Sequence, residues 1–444
     1  MYNGSRHSGL RVQALEVFLG YAAAAAVGIV IVVAIVGVLV FPHNSATPTA
    51  TLAPGQAPAA TNSSASQIAG ATATDQTPAT TAPTPAPVSA TPAATPAQLK
   101  SSATGSMAIA RDGHTSTLLP DGRVLVTGGH GAAKTGSFTS AELFDPAAGK
   151  FSAAASMAQP RMGHTATTVK VAGADAVLVV GGYSDSSQRT IAQAELYDPT
   201  TGKFSVTGSL AESRFGQTAT LLADGRVLVA GGQNRAVALS SAEIYDPATG
   251  KFTRTGPMSQ SRFGQTATLL PGGKVLVAGG YNAAQMWLAS TEVYDPATGK
   301  FSPTGDMESP RVFHSAVALS DGRVLIVGGS GQPGYGGSLA SAETYDPATG
   351  KFSPTASMTA PRSWFSLTVM TDGRVLAAGG QTNKNGGFLG SAEVFDPATG
   401  KFGPAGNMTT ARSYQTAAVL TDGRVLIVGG DDGRGNLSSA ELFG

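Results

Sequence analysis

The sequence predicts an all-β fold: a seven-bladed β-propeller closed by an N-terminal strand in the last blade, preceded by one transmembrane helix and a disordered linker. Three observations lead to this prediction. A Gly-Gly dipeptide recurs about every 50 residues from residue 100 to the end. Each repeat carries four short apolar runs divided by turn sequences, which is typical of four antiparallel strands. A long uncharged run and a Pro-rich segment precede the repeats.

The composition excludes several classes of site. The chain has 444 residues, with 29 basic and 28 acidic side chains, so no general attraction to nucleic acid is expected. The 57 glycines and 26 prolines indicate many turns. The chain contains no cysteine, which excludes disulfides, thiolate zinc sites and a cysteine nucleophile.

The first 41 residues predict a membrane anchor. Residues 1–16 are polar and carry Arg6 and Arg11, and residues 17–41 contain no charged residue. A helix of this length measures about 37 Å, enough to cross a hydrocarbon core of roughly 30 Å. A cleaved signal peptide is the alternative, although its apolar core is usually only ~7–15 residues long. The arginines precede the apolar run, so we expect a single-pass signal-anchor protein of the cell membrane, with residues 1–16 cytoplasmic and the propeller outside.

Residues 42–99 predict a disordered stalk. They contain ten prolines among alanine, threonine and serine, and Asp75 is their one charged residue. A segment of this composition buries too little apolar surface to offset the entropy lost on ordering. The predicted domains are therefore the tail, the anchor, the stalk and a propeller of residues 100–444.

Three residue types recur in phase with the repeat. Each of the seven Gly-Gly dipeptides is preceded by an arginine and followed by a glutamate. One arginine and one glutamate in every blade predict a repeated Arg–Glu pair that supports the scaffold. The arginines are Arg111, Arg161, Arg214, Arg262, Arg311, Arg362 and Arg412. The glutamates are Glu142, Glu195, Glu243, Glu292, Glu343, Glu393 and Glu441.

The Gly-Gly dipeptide, the Glu-x-Tyr/Phe-Asp-Pro run and the repeat length together resemble kelch repeats. The resemblance covers residues 100–444 and implies a kelch-type propeller, similar to the central domain of galactose oxidase. One departure concerns the fourth strand, where kelch blades usually carry tryptophan. This chain has phenylalanine there instead, at Phe151, Phe204, Phe252, Phe301, Phe352 and Phe402.

The last repeat stops at Gly444, before its fourth strand. A matching segment lies at the other end of the domain, since KSSATGSM at 100–107 aligns with KFGPAGNM at 401–408. We therefore expect the N-terminal segment to complete the seventh blade. Closure of this kind would leave no open seam between the first and last blades.

The order of the strands predicts one uniform face and one variable face. The Asp-Gly-Arg and DPATGK turns are nearly identical between repeats, whereas the loops after Gly-Gly differ in every repeat. Variable loops on a rigid scaffold usually carry recognition. Aromatic side chains in them are the candidate ligand-binding residues, with packing between blades as the alternative. They are Trp287, Trp364, Tyr281, Tyr335, Tyr183, Tyr414 and Phe388.

A binding module for a protein or a cell-surface glycan is the function that these features favour. An enzyme acting on sugars is the alternative, with acids such as Asp185, Asp431 and Asp432 in the variable loops. A third possibility is a structural stalk-and-head protein whose partner is another copy of itself. The resemblance to galactose oxidase implies no copper centre here, because that centre needs a Cys–Tyr link. We expect no metal, no cofactor and no catalytic residue. His114, His164 and His314 share a repeat position with three glutamines and, in the sixth blade, Phe365. The alternation with glutamine favours hydrogen bonding over metal ligation.

Overall fold

The computed structural model describes residues 99–444 except 132–134, 236, 332–336 and 383–386. The predicted tail, transmembrane helix and nearly all of the stalk lie outside the described residues. Among the residues that are described, no helix is long and apolar enough to cross a membrane.

Seven four-stranded antiparallel sheets form the domain, which confirms the prediction of an all-β, seven-bladed propeller. In the second, third, fourth and sixth blades the loop after Gly-Gly forms a separate two-stranded ribbon. The described chain opens with β1 (Ser101–Ala103). The first blade contains β2 (Thr115–Leu118), β3 (Val124–Thr127), β4 (Ala141–Asp145) and β5 (Lys150–Ala153). The second contains β6 (Thr165–Val171), β7 (Ala174–Val180), β8 (Tyr183–Ser184), β9 (Arg189–Thr190), β10 (Gln193–Asp198) and β11 (Lys203–Ser209). The third contains β12 (Thr218–Leu221), β13 (Val227–Ala230), β14 (Gln233–Asn234), β15 (Val237–Ala238), β16 (Ala242–Asp246) and β17 (Lys251–Arg254).

The remaining blades follow the same plan. The fourth contains β18 (Thr266–Leu269), β19 (Val275–Ala278), β20 (Tyr281–Asn282), β21 (Met286–Trp287), β22 (Thr291–Asp295) and β23 (Lys300–Pro303). The fifth contains β24 (Ser315–Ala318), β25 (Val324–Val327), β26 (Ala342–Asp346) and β27 (Lys351–Thr355). The sixth contains β28 (Ser366–Val369), β29 (Val375–Ala378), β30 (Gln381–Thr382), β31 (Gly387–Phe388), β32 (Ser391–Asp396) and β33 (Lys401–Asn407). The seventh contains β34 (Thr416–Val419), β35 (Val425–Val428) and β36 (Ala440–Phe443). The four separate ribbons are β8–β9, β14–β15, β20–β21 and β30–β31.

The seventh sheet has the order β1-β36-β35-β34, so its outermost strand comes from the start of the domain. Ser101 lies opposite Phe443, and Ala103 lies opposite Glu441. The amide of Lys100 also donates to the carbonyl oxygen of Gly444 at 3.1 Å. The first and seventh blades pack against each other through one apolar cluster that includes Val126 and Leu426.

The burial of each strand depends on its place in the blade. The second strand of each blade is a run of small and branched apolar residues that is buried along its whole four-residue core, as in VLVT of β3. The fourth strand is mostly exposed, except for its half-buried phenylalanine. In six blades this phenylalanine packs on the aromatic ring of the third strand at centroid distances of 4.8–5.0 Å. In the seventh blade Ser101 takes its place.

Two tight turns make the uniform face. In the first, the Asp121 carboxylate accepts the amide of Arg123 at 3.0 Å, and Gly122 adopts a φ of +85°. In the second, the carbonyl oxygen of Asp145 accepts the amide of Gly149 at 2.8 Å. Glycine is needed at both turns because a positive φ strains a residue that carries a Cβ. The loops after Gly-Gly lie at the opposite ends of the strands, and we call that surface the loop face.

Candidate functional site

Each blade holds a buried arginine against the glutamate of the same blade. In the first blade Arg111 Nη2 lies 2.9 Å from Glu142 Oε1, and Arg111 Nη1 donates to the carbonyl oxygen of Gly128 at 2.7 Å. All seven arginine side chains are fully buried, so they are not available to a ligand. The pairs are Arg111–Glu142, Arg161–Glu195, Arg214–Glu243, Arg262–Glu292, Arg311–Glu343, Arg362–Glu393 and Arg412–Glu441.

The glutamate also accepts a hydrogen bond from the loop that leads into its blade. Glu142 Oε2 accepts the backbone amide of Ala108 at 2.8 Å. Glu441 does the same with Thr409 at 2.7 Å and also accepts the hydroxyl of Ser101 at 2.7 Å. Burial alone would raise the pKa of Glu441, but these hydrogen bonds and the charge of Arg412 outweigh it and hold the pKa below its ordinary value.

The Gly-Gly dipeptides join neighbouring blades. The amide of Gly129 donates to the carbonyl oxygen of Arg161 in the next blade at 2.9 Å, and Gly430 bonds in the same way to Arg111. A Cβ on Gly429 would lie 2.6 Å from the Arg111 oxygen. The repeat therefore has glycine where the backbones of two blades meet.

The shared histidine and glutamine position bonds across the same junction. His114 Nε2 lies 2.8 Å from Thr416 Oγ1, and Gln415 Nε2 donates to the carbonyl oxygen of Ala378 at 2.7 Å. Burial, with a smaller contribution from Arg111, lowers the pKa of His114 to about 3, so the ring is neutral at pH 7. These contacts confirm the hydrogen-bonding role expected for this position.

The second residue after each arginine has a left-handed backbone in all seven blades, with φ between +55° and +66°. Four blades carry glycine there, and three carry bulky aromatic residues in spite of the strain, which costs on the order of 1–3 kcal/mol at each such residue. Backbone hydrogen bonds link neighbouring positions, such as Tyr414 to Trp364 at 3.1 Å. The glycines are Gly113, Gly163, Gly216 and Gly264, and the aromatic residues are Phe313, Trp364 and Tyr414.

Six aromatic rings follow one another across this part of the loop face, and we call them the aromatic arc. Neighbouring centroids lie 3.5–5.9 Å apart, and the closest pair is Phe313 stacked on Trp364. Phe215 and Phe263 are buried, whereas the last three rings remain half-buried. The arc therefore offers its accessible rings over the fifth to seventh blades. It runs through Tyr183, Phe215, Phe263, Phe313, Trp364 and Tyr414.

Beyond Tyr414 the loop face carries ionisable rather than aromatic side chains. We call this group the acidic sector, and it consists of Asp112, His130, Asp185 and Asp431. His130 lies between two carboxylates, with Nδ1 3.8 Å from Asp112 and Nε2 3.9 Å from Asp185. Burial, reinforced by Asp431 and Asp185, raises the pKa of Asp112 to about 7. Burial, followed by the charges of Asp112 and Asp431, raises the pKa of Tyr414. Ser413, the residue before Tyr414, exchanges two backbone hydrogen bonds of 2.9 Å with Asp431, so the arc and the acidic sector meet at Tyr414.

The predicted ligand-binding residues fall into separate groups. Tyr183, Trp364 and Tyr414 belong to the aromatic arc. Tyr281 and Trp287 face each other in the β20–β21 ribbon, with their ring centroids 5.9 Å apart. Phe388 packs toward Gly433 of the seventh blade, and Tyr335 lies outside the described residues.

The acidic sector is the feature that sequence reasoning missed. Asp185 and Asp431 were recognisable as loop acids, but Asp112 and His130 carried no signal of their own. The available clue was the position after the arginine, which is aspartate in the first blade and apolar or serine in the others. The DDGRGN segment forms a polar turn, in which Asp431 accepts the amide of Gly433 at 2.7 Å.

The axial channel below the loop face is lined mainly by small and hydroxyl side chains. A cavity of about 400 Å³ lies among the first strands, with Thr115, Thr165, Thr368 and Thr416 on its wall. Its lining includes no carboxylate.

Comparison with known proteins agrees with the fold. Residues 216–430 match the model of the KLHDC2/KLHL20/DRC7 Kelch-repeats domain. A fungal alcohol oxidase of the AA5 family, solved in complex with copper, is 19% identical; the match covers 78% of this chain and 76% of that one, with a TM-score of 0.63. At this identity the likeness shows the fold alone. No curated protein matches the chain.

The donor set for a copper centre with a Cys–Tyr link does not fit this chain, which has no cysteine. Among residues 99–444, leaving aside the gaps noted above, no group of three His, Cys, Asp or Glu residues is placed to hold a metal ion. The matched segment and the seven observed sheets lead to one conclusion: residues 216–430 carry Kelch repeats, within a domain that folds as a seven-bladed β-propeller.

Proposed function

We propose that the domain is a binding module whose loop face holds a protein ligand, with a cell-surface glycan as the alternative occupant. The aromatic arc is the observation that carries this proposal. Three blades tolerate a strained backbone to place Phe313, Trp364 and Tyr414 at the same level of the loop face. Backbone strain at positions that build a surface is typical of functional sites. Large aromatic residues also supply much of the energy at binding interfaces.

The experiment is a peptide and glycan array probed with the full chain, followed by affinity measurement for the hits. Trp364→Ala should weaken binding at least tenfold, because Trp364 is the central accessible ring of the arc. Trp287→Ala is the matched control, since it removes a tryptophan from a separate ribbon of the same face. Equal affinity for the unmodified chain and Trp364→Ala would refute the assignment of the site.

A second candidate function, hydrolysis of a sugar substrate, is favoured by one observation. Burial, reinforced by the charge of Asp431, raises the pKa of Asp112 to about 7, and a carboxylic acid that stays protonated near neutral pH is suited to general acid catalysis. Release of reducing sugar by the unmodified chain but not by Asp112→Asn would favour the enzyme over the binding module.

We also propose that residues 17–41 anchor the chain and that the propeller lies outside the cell. The proposal is supported by the uncharged run and by the arginines that precede it. Protease added to intact cells should digest the propeller. Survival of the propeller until the membrane is opened would place it inside.

The closure of the ring by the N-terminal strand is a further part of the proposal. The pairing of Ser101 with Phe443 and the shared core of the first and seventh blades support it. Deletion of Ser101–Ala103 would expose the edge of β36 and remove a partner of Glu441. We expect a lower melting temperature and self-association; a monomeric variant of unchanged stability would refute the role in closure.

A further inference from the structure

We propose that the junction of the aromatic arc and the acidic sector docks a cationic side chain, lysine or arginine, of a partner polypeptide. The inference rests on the proposed function, because it identifies the ligand class of the same face. Its elements are the rings of Trp364 and Tyr414 and the carboxylates of Asp112 and Asp431.

The aromatic side of this junction suits a cation. Trp364 and Tyr414 have their ring centroids 4.6 Å apart at an angle of 45°, and both are half-buried. Tryptophan and tyrosine faces attract lysine and arginine through the ring quadrupole, and the attraction increases when water is excluded. A cation seated here would lie over rings that the backbone already holds in place.

The acidic side brings three carboxylates together with one imidazole, that of His130. Among the described residues, no lysine or arginine forms an ion pair with Asp112, Asp185 or Asp431. The nearest cationic group in the sequence, Arg111, is fully buried and bound to Glu142. Asp185 Oδ2 is also buried without a hydrogen bond.

The carboxyl group of Asp112 lies in surroundings that disfavour its ionised form. Burial raises its pKa most, the charges of Asp431 and Asp185 add to the shift through repulsion, and the one hydrogen bond from a side chain that opposes the shift comes from Asn436. An incoming ammonium or guanidinium group would relieve this repulsion, because an opposite charge within about 4–6 Å favours the ionised carboxylate. Charge complementarity therefore selects a cationic occupant over a neutral glycan or an acidic peptide.

Binding of labelled hexa-arginine to the full chain at pH 8, measured by fluorescence anisotropy, tests the inference. Hexa-citrulline has nearly the same shape as the probe but carries a neutral urea in place of each guanidinium, and it should bind at least tenfold more weakly. The double variant Asp112→Asn, Asp431→Asn should lose at least tenfold in affinity for hexa-arginine. The matched control Asp121→Asn, Asp422→Asn removes two carboxylates from the uniform face and should bind like the unmodified chain.

The outcomes separate this inference from the proposed function. Equal loss in both double variants would show general attraction of a polycation and overturn the inference. Undiminished affinity in the Asp112, Asp431 double variant would overturn it as well. If a neutral ligand binds and only Trp364→Ala weakens it, the binding module stands and the cationic ligand is refuted. Tighter binding of a glucosamine hexamer than of hexa-arginine would refute the choice of a polypeptide.

Discussion

The Arg–Glu pairs give the sharpest prediction, and the fifth blade is the best place to test it. Glu343 Oε1 lies 2.7 Å from Arg311 Nη2, and Glu343 Oε2 accepts the backbone amide of Glu308 at 2.8 Å. Glu343→Ala would leave a buried guanidinium without its counter-ion and the loop amide without its acceptor. Removing one partner of a buried pair costs about 3–5 kcal/mol.

This cost translates into a measurable change in melting temperature. An unfolding entropy of about 2.1 cal/mol/K per residue over the ~345 residues of the propeller gives a fall of about 4–7 °C, if the domain unfolds as one unit. Glu343→Gln keeps an oxygen acceptor but not the charge, so its melting temperature should lie between those of Glu343→Ala and the unmodified chain. Scanning calorimetry at pH 7 measures all three.

The control is Glu308→Ala, which removes an exposed carboxylate from the same blade. Exposed pairs contribute about 0–1 kcal/mol, so its melting temperature should fall by less than about 1.5 °C. If Glu343→Ala is no less stable than Glu308→Ala, the repeated pair does not support the scaffold and this reasoning is wrong.

Three further predictions follow from the junctions and the acidic sector. First, Asp112→Asn should raise the melting temperature by about 2–5 °C at pH 8 and leave it nearly unchanged at pH 4. The reason is that the raised pKa of Asp112 in the folded state destabilises that state increasingly as pH rises from about 4 to 7. An equal shift at both pH values would contradict this. Second, Gly429→Ala should destabilise the domain more than Gly373→Ala. Both glycines have a positive φ, but only a Cβ at residue 429 would collide with a neighbouring backbone. Denaturant midpoints compare the two variants, and equal losses of stability would show that backbone strain alone matters. Third, the lowered pKa values of Glu393 and Glu441 make their contribution full above pH ~4.5 and lost on further acidification. Glu441→Gln should therefore flatten the loss of stability between pH 5 and 3, and an unchanged acid limb would count against it.

Much of the scaffold could be predicted from the sequence because the same pattern recurs in every blade. The apolar run of each second strand, the Asp-Gly turn and the glycine doublet recur in phase, so local patterns and the need to cover both faces of every sheet indicate a propeller. The match of KSSATGSM to the fourth strands pointed to the partner of β36, and Ser101 lies opposite Phe443 as that alignment requires. These inferences depend on backbone pairing and periodicity, which the order of residues expresses directly.

The arrangement of side chains on the loop face depends on the tertiary structure. Asp112, Asp185 and Asp431 are far apart in the sequence, in the first, second and seventh blades, and they converge because first and last blades are neighbours. The left-handed backbone that carries Trp364 and Tyr414 is recognisable only by alignment with the glycines of other blades. A repeat specifies its own blade, but burial, charge and the pKa of Asp112 depend on side chains from other blades, and their positions exist only once the blades have packed around the axis.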